Sequence, residues 1–163
     1  MADFDPFGIL RVLLDNGVQF LMIGGMAAQI RGSPRITGDL DICYGRDQRN
    51  LERLAAALQE LKATLRGAPP DVPFQLDART LKGGDHFTFN TIAGPLDCLG
   101  TPAGTRGYAD LSTAATDEDL DGVTVKVASV DDLIRMKRAS GRPQDKIDLE
   151  WLSALRDEVE GGR

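Results

Sequence analysis

Asp39 and Asp41 are the residues whose type and spacing most directly indicate chemistry. They belong to a stretch from Phe20 to Tyr44, FLMIGGMAAQIRGSPRITGDLDICY, whose pattern predicts a strand, a short helix, a turn and a second strand. Side chains two residues apart on a strand project from the same face of the sheet. Neighbouring carboxylates repel each other unless a positive charge lies between them, and hard oxygen ligands suit a divalent metal. The spacing therefore predicts a metal site.

Gly24 and Gly25 add a second chemical feature, at the junction of the first strand and the short helix. Glycines at a helix N-terminus leave backbone N–H groups accessible to an anion. A site for a phosphate-sized anion beside metal-binding carboxylates suggests phosphoryl or nucleotidyl transfer. That chemistry is the hypothesis that the remaining residues have to support.

Asp97 is the candidate third carboxylate, in the otherwise apolar strand Pro95-Leu96-Asp97-Cys98-Leu99. A charge in an apolar strand is costly unless it has a partner. One interpretation places this strand beside Asp39 and Asp41, where three acids would hold Mg²⁺ or Mn²⁺ for attack by a hydroxyl and departure of pyrophosphate. The other interpretation is an edge strand with Asp97 facing solvent. Together with the glycine pair, the three acids favour the metal role.

The elements that must position these acids follow from hydrophobic periodicity and turn residues. Asp5-Pro6 predicts the start of a first helix that has Phe7, Leu10 and Leu14 on its apolar face and ends at Asn16-Gly17. Further predicted helices cover 25–31, 47–61, 108–115, 129–140 and the chain from 143 onwards, and predicted strands cover 18–23, 36–44, 74–76, 86–92, 96–99 and 123–127. Residues 66–72, 82–85 and 100–107 are predicted loops or turns. The order predicts an α+β fold with a helical C-terminal layer.

Length and composition indicate one soluble globular domain. The chain has 163 residues, of which 42% are apolar and 27% charged, enough to bury a core. No apolar run approaches the roughly 20 residues that span a bilayer, and the N-terminus lacks the basic and apolar regions of a secretory signal. Two cysteines without a signal favour a reducing compartment, and we expect a cytoplasmic location without membrane partners.

The net charge of −6 argues against a general nucleic-acid binder, whose affinity depends on neutralising phosphates. This net charge leaves room for local basic patches around Arg31 and Arg35, or around Arg135, Lys137 and Arg138. The acidic balance lowers the expectation of an RNA substrate without excluding it.

Lys137 occupies the inward side of its predicted helix, on a stripe formed with Val130, Leu133 and Ile134. A lone cation in that position is unusual. It could contact a triphosphate, or pair with Asp145 or Asp148 on the following helix. The alternative is an aliphatic stem that passes the edge of the core and places the ammonium in water.

Other reactive side chains are predicted to be structural. His86 is the only histidine and has no second histidine or nearby nucleophile in the sequence. Cys43 and Cys98 are expected on opposite faces of the sheet, so no disulfide is expected between them. Trp151 is expected in the core.

GGMAA followed by RGSPRITGDLDI resembles the signature of the DNA polymerase beta-like nucleotidyltransferase superfamily. That signature is a Gly-Gly or Gly-Ser pair, an acid-x-acid strand and a later acid on a neighbouring strand. MKRASGRPQDKIDLEWL is similar to the C-terminal pattern of the AbiEii-like and minimal nucleotidyltransferase branch, which includes toxins of toxin–antitoxin pairs. The resemblance runs from about Val18 to Leu155.

The resemblance implies a nucleotidyltransferase-like mixed β-sheet packed against helices. It implies a single domain over 1–163, with a core at about 18–127 and C-terminal helices at about 129–160. The implied reaction moves NMP from an NTP to an acceptor hydroxyl and releases pyrophosphate.

The resemblance also implies roles for individual residues. Asp39 and Asp41 would bind Mg²⁺ or Mn²⁺, and Asp97 would be the third ligand and a general base. Gly24 and Gly25 would hold the nucleotide phosphates. Arg35 and Thr37 precede the acids and are candidate phosphate contacts, although Arg35 equally fits a solvated turn.

The acceptor stays open among an RNA end, a protein side chain and a small molecule such as an aminoglycoside. An antitoxin protein is an expected partner by analogy with the branch. The alternative is a catalytically inactive nucleotide- or partner-binding module with the same fold, because Met26 stands where many catalytic members have Ser or Thr. A Rossmann-type redox domain is excluded, since no G-x-G-x-x-G follows the first strand.

Overall fold

The computed structural model describes residues 3–69, 71 and 73–161. The strands are β1 (Phe20–Ile23), β2 (Leu40–Tyr44), β3 (Thr64–Leu65), β4 (His86–Thr91), β5 (Gly94–Leu99), β6 (Thr116–Leu120) and β7 (Val123–Val127). The helices are α1 (Pro6–Asp15), α2 (Gly24–Ile30), α3 (Gln48–Glu60), α4 (Ala78–Gly83), α5 (Tyr108–Ser112), α6 (Val130–Ser140) and α7 (Pro143–Gly161). This mixture confirms the predicted α+β class, including the C-terminal helices.

The strands form a seven-stranded mixed sheet in the order β3-β4-β5-β2-β1-β7-β6. At its centre β1 runs antiparallel to β2, while β2 and β5 are parallel. The prediction that the strand of Asp97 lies beside the strand of Asp41 is therefore confirmed. All residues of β1 are buried, as its continuous apolar sequence predicts.

Capping residues explain where several helices begin. The side chain of Asp5 accepts a hydrogen bond from Gly8 N at 3.0 Å, and Pro6 follows it at the first helical position. Asp47 caps α3 and Ser129 caps α6 in the same way. Gly141 ends α6 in the left-handed conformation that glycine adopts without strain. These local signals made the corresponding helix boundaries predictable.

The predicted second strand is longer than β2. Residues 36–39 lie outside the ladder, and Ile36 is 85% exposed. Residues 33–37 have no regular secondary structure, 38–39 form a bend, and Pro34 has no N–H group for strand pairing. Asp39 therefore lies one residue before β2 rather than within it.

The predicted strand 74–76 is wrong. Phe74 instead packs its ring against those of Phe87 and Phe89, with centroids 6.3 and 6.1 Å apart, and needs no strand pairing to be held there. Helix α4 was not predicted and includes Lys82 and Gly83 of the expected turn. The turn before β5 consists of Ile92 and Ala93, and Gly94 already pairs with Thr91, so β4 ends one residue earlier and β5 begins two residues earlier than predicted. In the predicted loop 66–72, Pro70 and Val72 lie outside the described residues.

Two helices differ from their predicted apolar faces. In α1 the buried residues are Ile9, Leu10 and Leu13, whereas Leu14 is 38% exposed. The expectation that Trp151 lies in the core is wrong, because its exposed fraction is 47%. Leu152 is the fully buried residue on that turn of α7. Among the described residues, no helix combines the length and apolar character needed to cross a membrane.

Candidate active site

Asp39, Asp41 and Asp97 form a cluster that we call the acidic triad. Asp41 and Asp97 are register partners on the parallel strands β2 and β5, so their side chains project from the same face of the sheet. Asp39 joins them from the turn before β2. One carboxylate oxygen of each residue lies within 4.8 Å of those of the other two. The structure brings together the three acids that the sequence singles out.

Two oxygens of the acidic triad have no hydrogen-bond partner among the described residues. Asp41 Oδ1 and Asp97 Oδ1 are both buried. A buried anionic oxygen without a donor destabilises a protein by the cost of its lost hydration. Carboxylate oxygens that converge in this way are the donor set that Mg²⁺ or Mn²⁺ prefers. The residues present therefore fit a hard divalent cation.

The electrostatics of the acidic triad point the same way. Burial, followed by the charges of Asp39 and Asp97, raises the pKa of Asp41 from 3.8 to about 7, and the Lys137 ammonium opposes this rise. Burial raises the pKa because it removes water from the charged form, and like charges add to it. Near neutral pH, the carboxyl of Asp41 is thus poised between its protonated and charged forms.

The glycine pair lets the chain approach the acids closely. Gly24 has a φ of +72°, and a Cβ at this position would overlap the Asp41 carboxylate. A Cβ on Gly25 would overlap the methyl group of Thr37. Only glycine fits both the backbone conformation and the space at Gly24. Met26, one residue on, is partly buried and packs against the hydrophobic core.

A cavity of about 290 Å³ opens in front of the acidic triad. Asp41, Asp97 and Gly24 line it on the sheet side, and Lys137 lines it from α6. Its remaining lining residues are mostly apolar or hydroxyl-bearing, and include Leu99, Thr101, Pro102, Leu133, Met136 and Ser140. The cavity therefore combines two of the acids, the glycine turn and two cationic side chains, Lys137 and Arg142, in one space.

Lys137 is 9% exposed, as its inward position predicts. Its Nζ atom lies 3.1 Å from Asp145 Oδ1 and 2.9 Å from Asp148 Oδ2, both on α7. Of the alternatives that the sequence left open, the ion pairs are present and the solvent-exposed ammonium is wrong. Because Lys137 also lines the cavity, contact with a phosphate stays a prediction.

Neither a protein-family model nor a curated protein matches this sequence. Solved structures resemble it over nearly the whole chain. The lincosamide antibiotic adenylyltransferase LnuA, with lincomycin bound, matches with a TM-score of 0.64 and 12% identity, covering 94% of this chain and 99% of that chain. The solution structure of the antibiotic-resistance factor ANT(2'')-Ia matches with a TM-score of 0.56 and 15% identity, covering 95% of this chain and 89% of that chain. Its complex with adenylyl-2''-tobramycin matches with a TM-score of 0.55 and 14% identity, covering 94% and 93%.

The chain has the nucleotidyltransferase fold. At these identities the likeness shows the fold and not the activity. It agrees with the nucleotidyltransferase-like fold that the sequence resemblance implies, and it does not distinguish the AbiEii-like branch.

Within this nucleotidyltransferase fold, Arg35 and Thr37 are not among the residues that line the cavity. Arg35 Nη1 lies 2.6 Å from Asp148 Oδ2, so Arg35 is not simply a solvated turn residue. Thr37 donates from Oγ1 to the carbonyl oxygen of Asp39 at 3.3 Å, which restrains the turn before β2. Both residues thus support neighbours of the cavity, and phosphate contact by either stays a prediction.

Arg66 is a neighbour of the site that the sequence does not reveal. Its Nη2 atom lies 2.9 Å from Asp97 Oδ1. The contact depends on β3, a two-residue strand that has no periodicity to reveal it. His86, expected to be structural, is exposed and lines the cavity through its place on β4. Cys98 is the register partner of Ile42 and Cys43 that of Leu99, so the two buried cysteines lie on opposite faces of the sheet, as predicted.

Proposed function

We propose that this chain, as a single domain over 1–163, is a metal-dependent nucleotidyltransferase. It moves NMP from an NTP to an acceptor hydroxyl and releases pyrophosphate. The observation that carries the proposal is the acidic triad, whose oxygens converge within 4.8 Å and include two without a hydrogen-bond partner among the described residues. The nucleotidyltransferase fold around the triad supports it.

The residues take the following roles in the proposal. Asp39, Asp41 and Asp97 hold Mg²⁺ or Mn²⁺, which when bound stabilises the charge that develops on the phosphate oxygens. The backbone N–H groups of Gly24 and Gly25, at the start of α2, bind the nucleotide phosphates. Lys137 contacts the triphosphate from α6, with its ammonium held in place by the acids of α7.

The proposed chemical step is a displacement at the α-phosphorus. The acceptor oxygen forms a bond to this phosphorus, and the bond from phosphorus to the bridging oxygen of pyrophosphate breaks. The hydroxyl proton passes to a carboxylate oxygen of Asp97, which acts as general base. Positioning the two reactants in one cavity supplies much of the rate enhancement in reactions of this kind.

A small hydroxyl-bearing molecule is the acceptor that we favour. The cavity of about 290 Å³ is at the lower end of the size range of small-molecule sites. LnuA was solved with lincomycin and ANT(2'')-Ia with adenylyl-2''-tobramycin. The net charge of −6 disfavours an RNA end as acceptor. An acceptor on a protein, a toxin role and an antitoxin partner rest on the sequence resemblance alone.

The test is transfer of label from NTPs labelled at the α-phosphate, with γ-labelled NTPs as the matched control. Each NTP is incubated with Mg²⁺ or Mn²⁺ and with lincosamides, aminoglycosides, bulk RNA or bulk protein. We expect label to reach an acceptor from the α-phosphate only, and the Asp41→Asn variant to lose at least a hundredfold of the rate. NTP binding without transfer to any acceptor would favour the inactive module, which Met26 supported at the sequence level.

A further inference from the structure

Arg66 places a positive charge against the third member of the acidic triad. Its Nη2 atom lies 2.9 Å from Asp97 Oδ1, and the two side chains are 32% and 17% exposed. The other two triad members have no ion pair of this kind among the described residues. The acidic triad is therefore asymmetric: one carboxylate has an internal counter-ion and two do not.

Three contacts with β4 hold Arg66 in position. Its Nη2 donates to the carbonyl oxygen of Phe89 at 2.7 Å, and its Nε donates to Asn90 Oδ1 at 3.3 Å. Its backbone N–H donates to the carbonyl oxygen of Thr88 at 2.8 Å. Because the guanidinium donates to Phe89 and Asn90 besides its contact with Asp97, it would keep hydrogen bonds if Asp97 turned to another cation.

The contact between Arg66 and Asp97 is electrostatic rather than an aligned hydrogen bond. Asp97 Oδ1 is buried and has no hydrogen bond of acceptable geometry among the described residues, despite the nearby guanidinium. Its lone pairs thus remain open to a cation that approaches from the cavity. Asp41 Oδ1 is open in the same way.

We propose that Arg66 is a built-in counter-ion that competes with the divalent metal for Asp97 and so sets the metal affinity of the site. The inference rests on the proposed metal-dependent function and adds a residue that determines affinity. Without metal, Arg66 offsets part of the repulsion within the acidic triad. With metal, its charge repels the cation over a few ångströms in a partly buried site. Metal binding is weaker than the three carboxylates alone would give.

The test is calorimetric titration of Mn²⁺ into the metal-free protein without nucleotide, so that no readout depends on activity. Four proteins are compared: wild type, Arg66→Gln, Arg66→Lys and Arg53→Gln. Arg53 lies on α3, donates to Gly17 O and does not line the cavity, so its variant removes the same charge at a distance from the site.

We expect Arg66→Gln to bind Mn²⁺ about tenfold to a hundredfold more tightly than wild type. Arg66→Lys should stay within about threefold of wild type because it keeps the charge, and Arg53→Gln should do the same because its charge is screened. Equal or weaker Mn²⁺ binding by Arg66→Gln would overturn the inference while leaving the proposed function intact. Absence of Mn²⁺ binding in all four proteins would overturn the metal site itself, and the inference with it.

A second measurement checks the ion pair without any metal. The melting temperatures of wild type, Arg66→Gln, Asp97→Asn and the double variant form a double-mutant cycle in chelator. We expect Arg66→Gln to lower the melting temperature more in wild type than in the Asp97→Asn background. Equal effects in both backgrounds would mean that Arg66 acts only through β4, which would contradict the proposal.

Discussion

Two clusters of charged side chains flank the same cavity, and they are built in opposite ways. In the acidic triad, like charges are brought together and two buried oxygens are left without hydrogen bonds. In the second cluster, formed by Lys137, Asp145, Asp148 and Arg35 and here named the paired cluster, each acid has at least one cationic partner. Among the described residues, Arg66 pairs with one of the three acids of the triad, whereas both acids of the paired cluster have a cationic partner.

The pKa directions follow this difference. The pKa of Asp41 is raised because burial and two neighbouring acids disfavour its charge. The pKa values of Asp145 and Asp148 are lowered although burial opposes it, because hydrogen bonds and the Lys137 charge favour the ionised forms. Asp145 also accepts hydrogen bonds from Ser140 and Arg142. The paired cluster is thus complete within the described residues.

The contrast indicates a division of labour between the two clusters. A completed cluster fixes the geometry of the C-terminal helices and of Lys137, since α6 and α7 are joined through its ion pairs. A cluster with unpaired acids lowers the stability of the folded protein, and a ligand of opposite charge stabilises the protein when it binds there. Substitutions in the two clusters should therefore change stability in opposite directions.

The largest effect is expected from Lys137→Met. This change leaves Asp145 and Asp148, which are 1% and 3% exposed, without their shared counter-ion. Removing one partner of a buried ion pair typically costs 3–5 kcal/mol, and we expect about 3 kcal/mol because Arg35 and Arg142 remain. Urea unfolding at pH 7 measures the loss. Lys146→Met, at an exposed position on α7, the helix that carries Asp145 and Asp148, is the matched control and should change the free energy of unfolding little.

A loss below about 1 kcal/mol in Lys137→Met would place the lysine among ordinary surface ion pairs. The paired cluster would then not be the stabilising one of the two. If Lys137→Met kept a nearly unchanged free energy of unfolding but lost NTP binding, the role of Lys137 would be phosphate contact alone.

Asp41→Asn, in contrast, should raise the free energy of unfolding of the metal-free protein. Its folded pKa of about 7 lies above the unfolded value of 3.8, so the folded state binds the proton more tightly. The stability that this proton provides is fully present below pH 3.8 and is lost as the pH rises through 7. Asparagine removes that pH-dependent loss. We expect the free energy of unfolding of the variant, relative to that of wild type, to be about 2 kcal/mol higher at pH 8 than at pH 5.

Urea unfolding in chelator at the two pH values measures this gain. Mg²⁺ supplies the control: at pH 8 it should raise the melting temperature of wild type and leave that of Asp41→Asn nearly unchanged. A variant that is less stable than wild type at pH 8 without metal would show that the acidic triad is not a source of strain.

The sequence predicted which acids and which lysine form the two clusters better than it predicted all of their charged partners. Asp41 and Asp97 were predictable because strand alternation and a parallel pair of strands bring them to one face. Lys137 was predictable from helical periodicity. Arg66 was not, because its contact depends on pairing between β3 and β4, which are separated by residues 66–85 and by α4 within them. Asp39 was predicted within the strand 36–44 but lies one residue before β2, since alternation does not reveal where ladder pairing begins.

The fold shows the same limit at other positions. Caps such as Asp5 and Ser129 are local and were correct, because their hydrogen bonds join residues three apart. Phe74 was wrongly predicted in a strand and Trp151 in the core, because apolar character alone does not show what a side chain packs against. Strand β6, TDEDL, was missed since its acidic, mostly exposed side chains lack the apolar alternation of a strand.

Arg35→Gln should give the smallest effect and divides the paired cluster into an inner and an outer part. Arg35 and Asp148 lie 2.6 Å apart, but the arginine side chain is 44% exposed whereas that of Asp148 is 4% exposed. Solvent screens the half-exposed partner, and Lys137 still neutralises Asp148 when Arg35 is removed. We expect a loss of about 0.5 kcal/mol in urea unfolding, compared with about 3 kcal/mol for Lys137→Met. Equal losses would mean that Asp148 needs both cations, and that the cluster acts as one unit rather than as a buried pair with an outer contact.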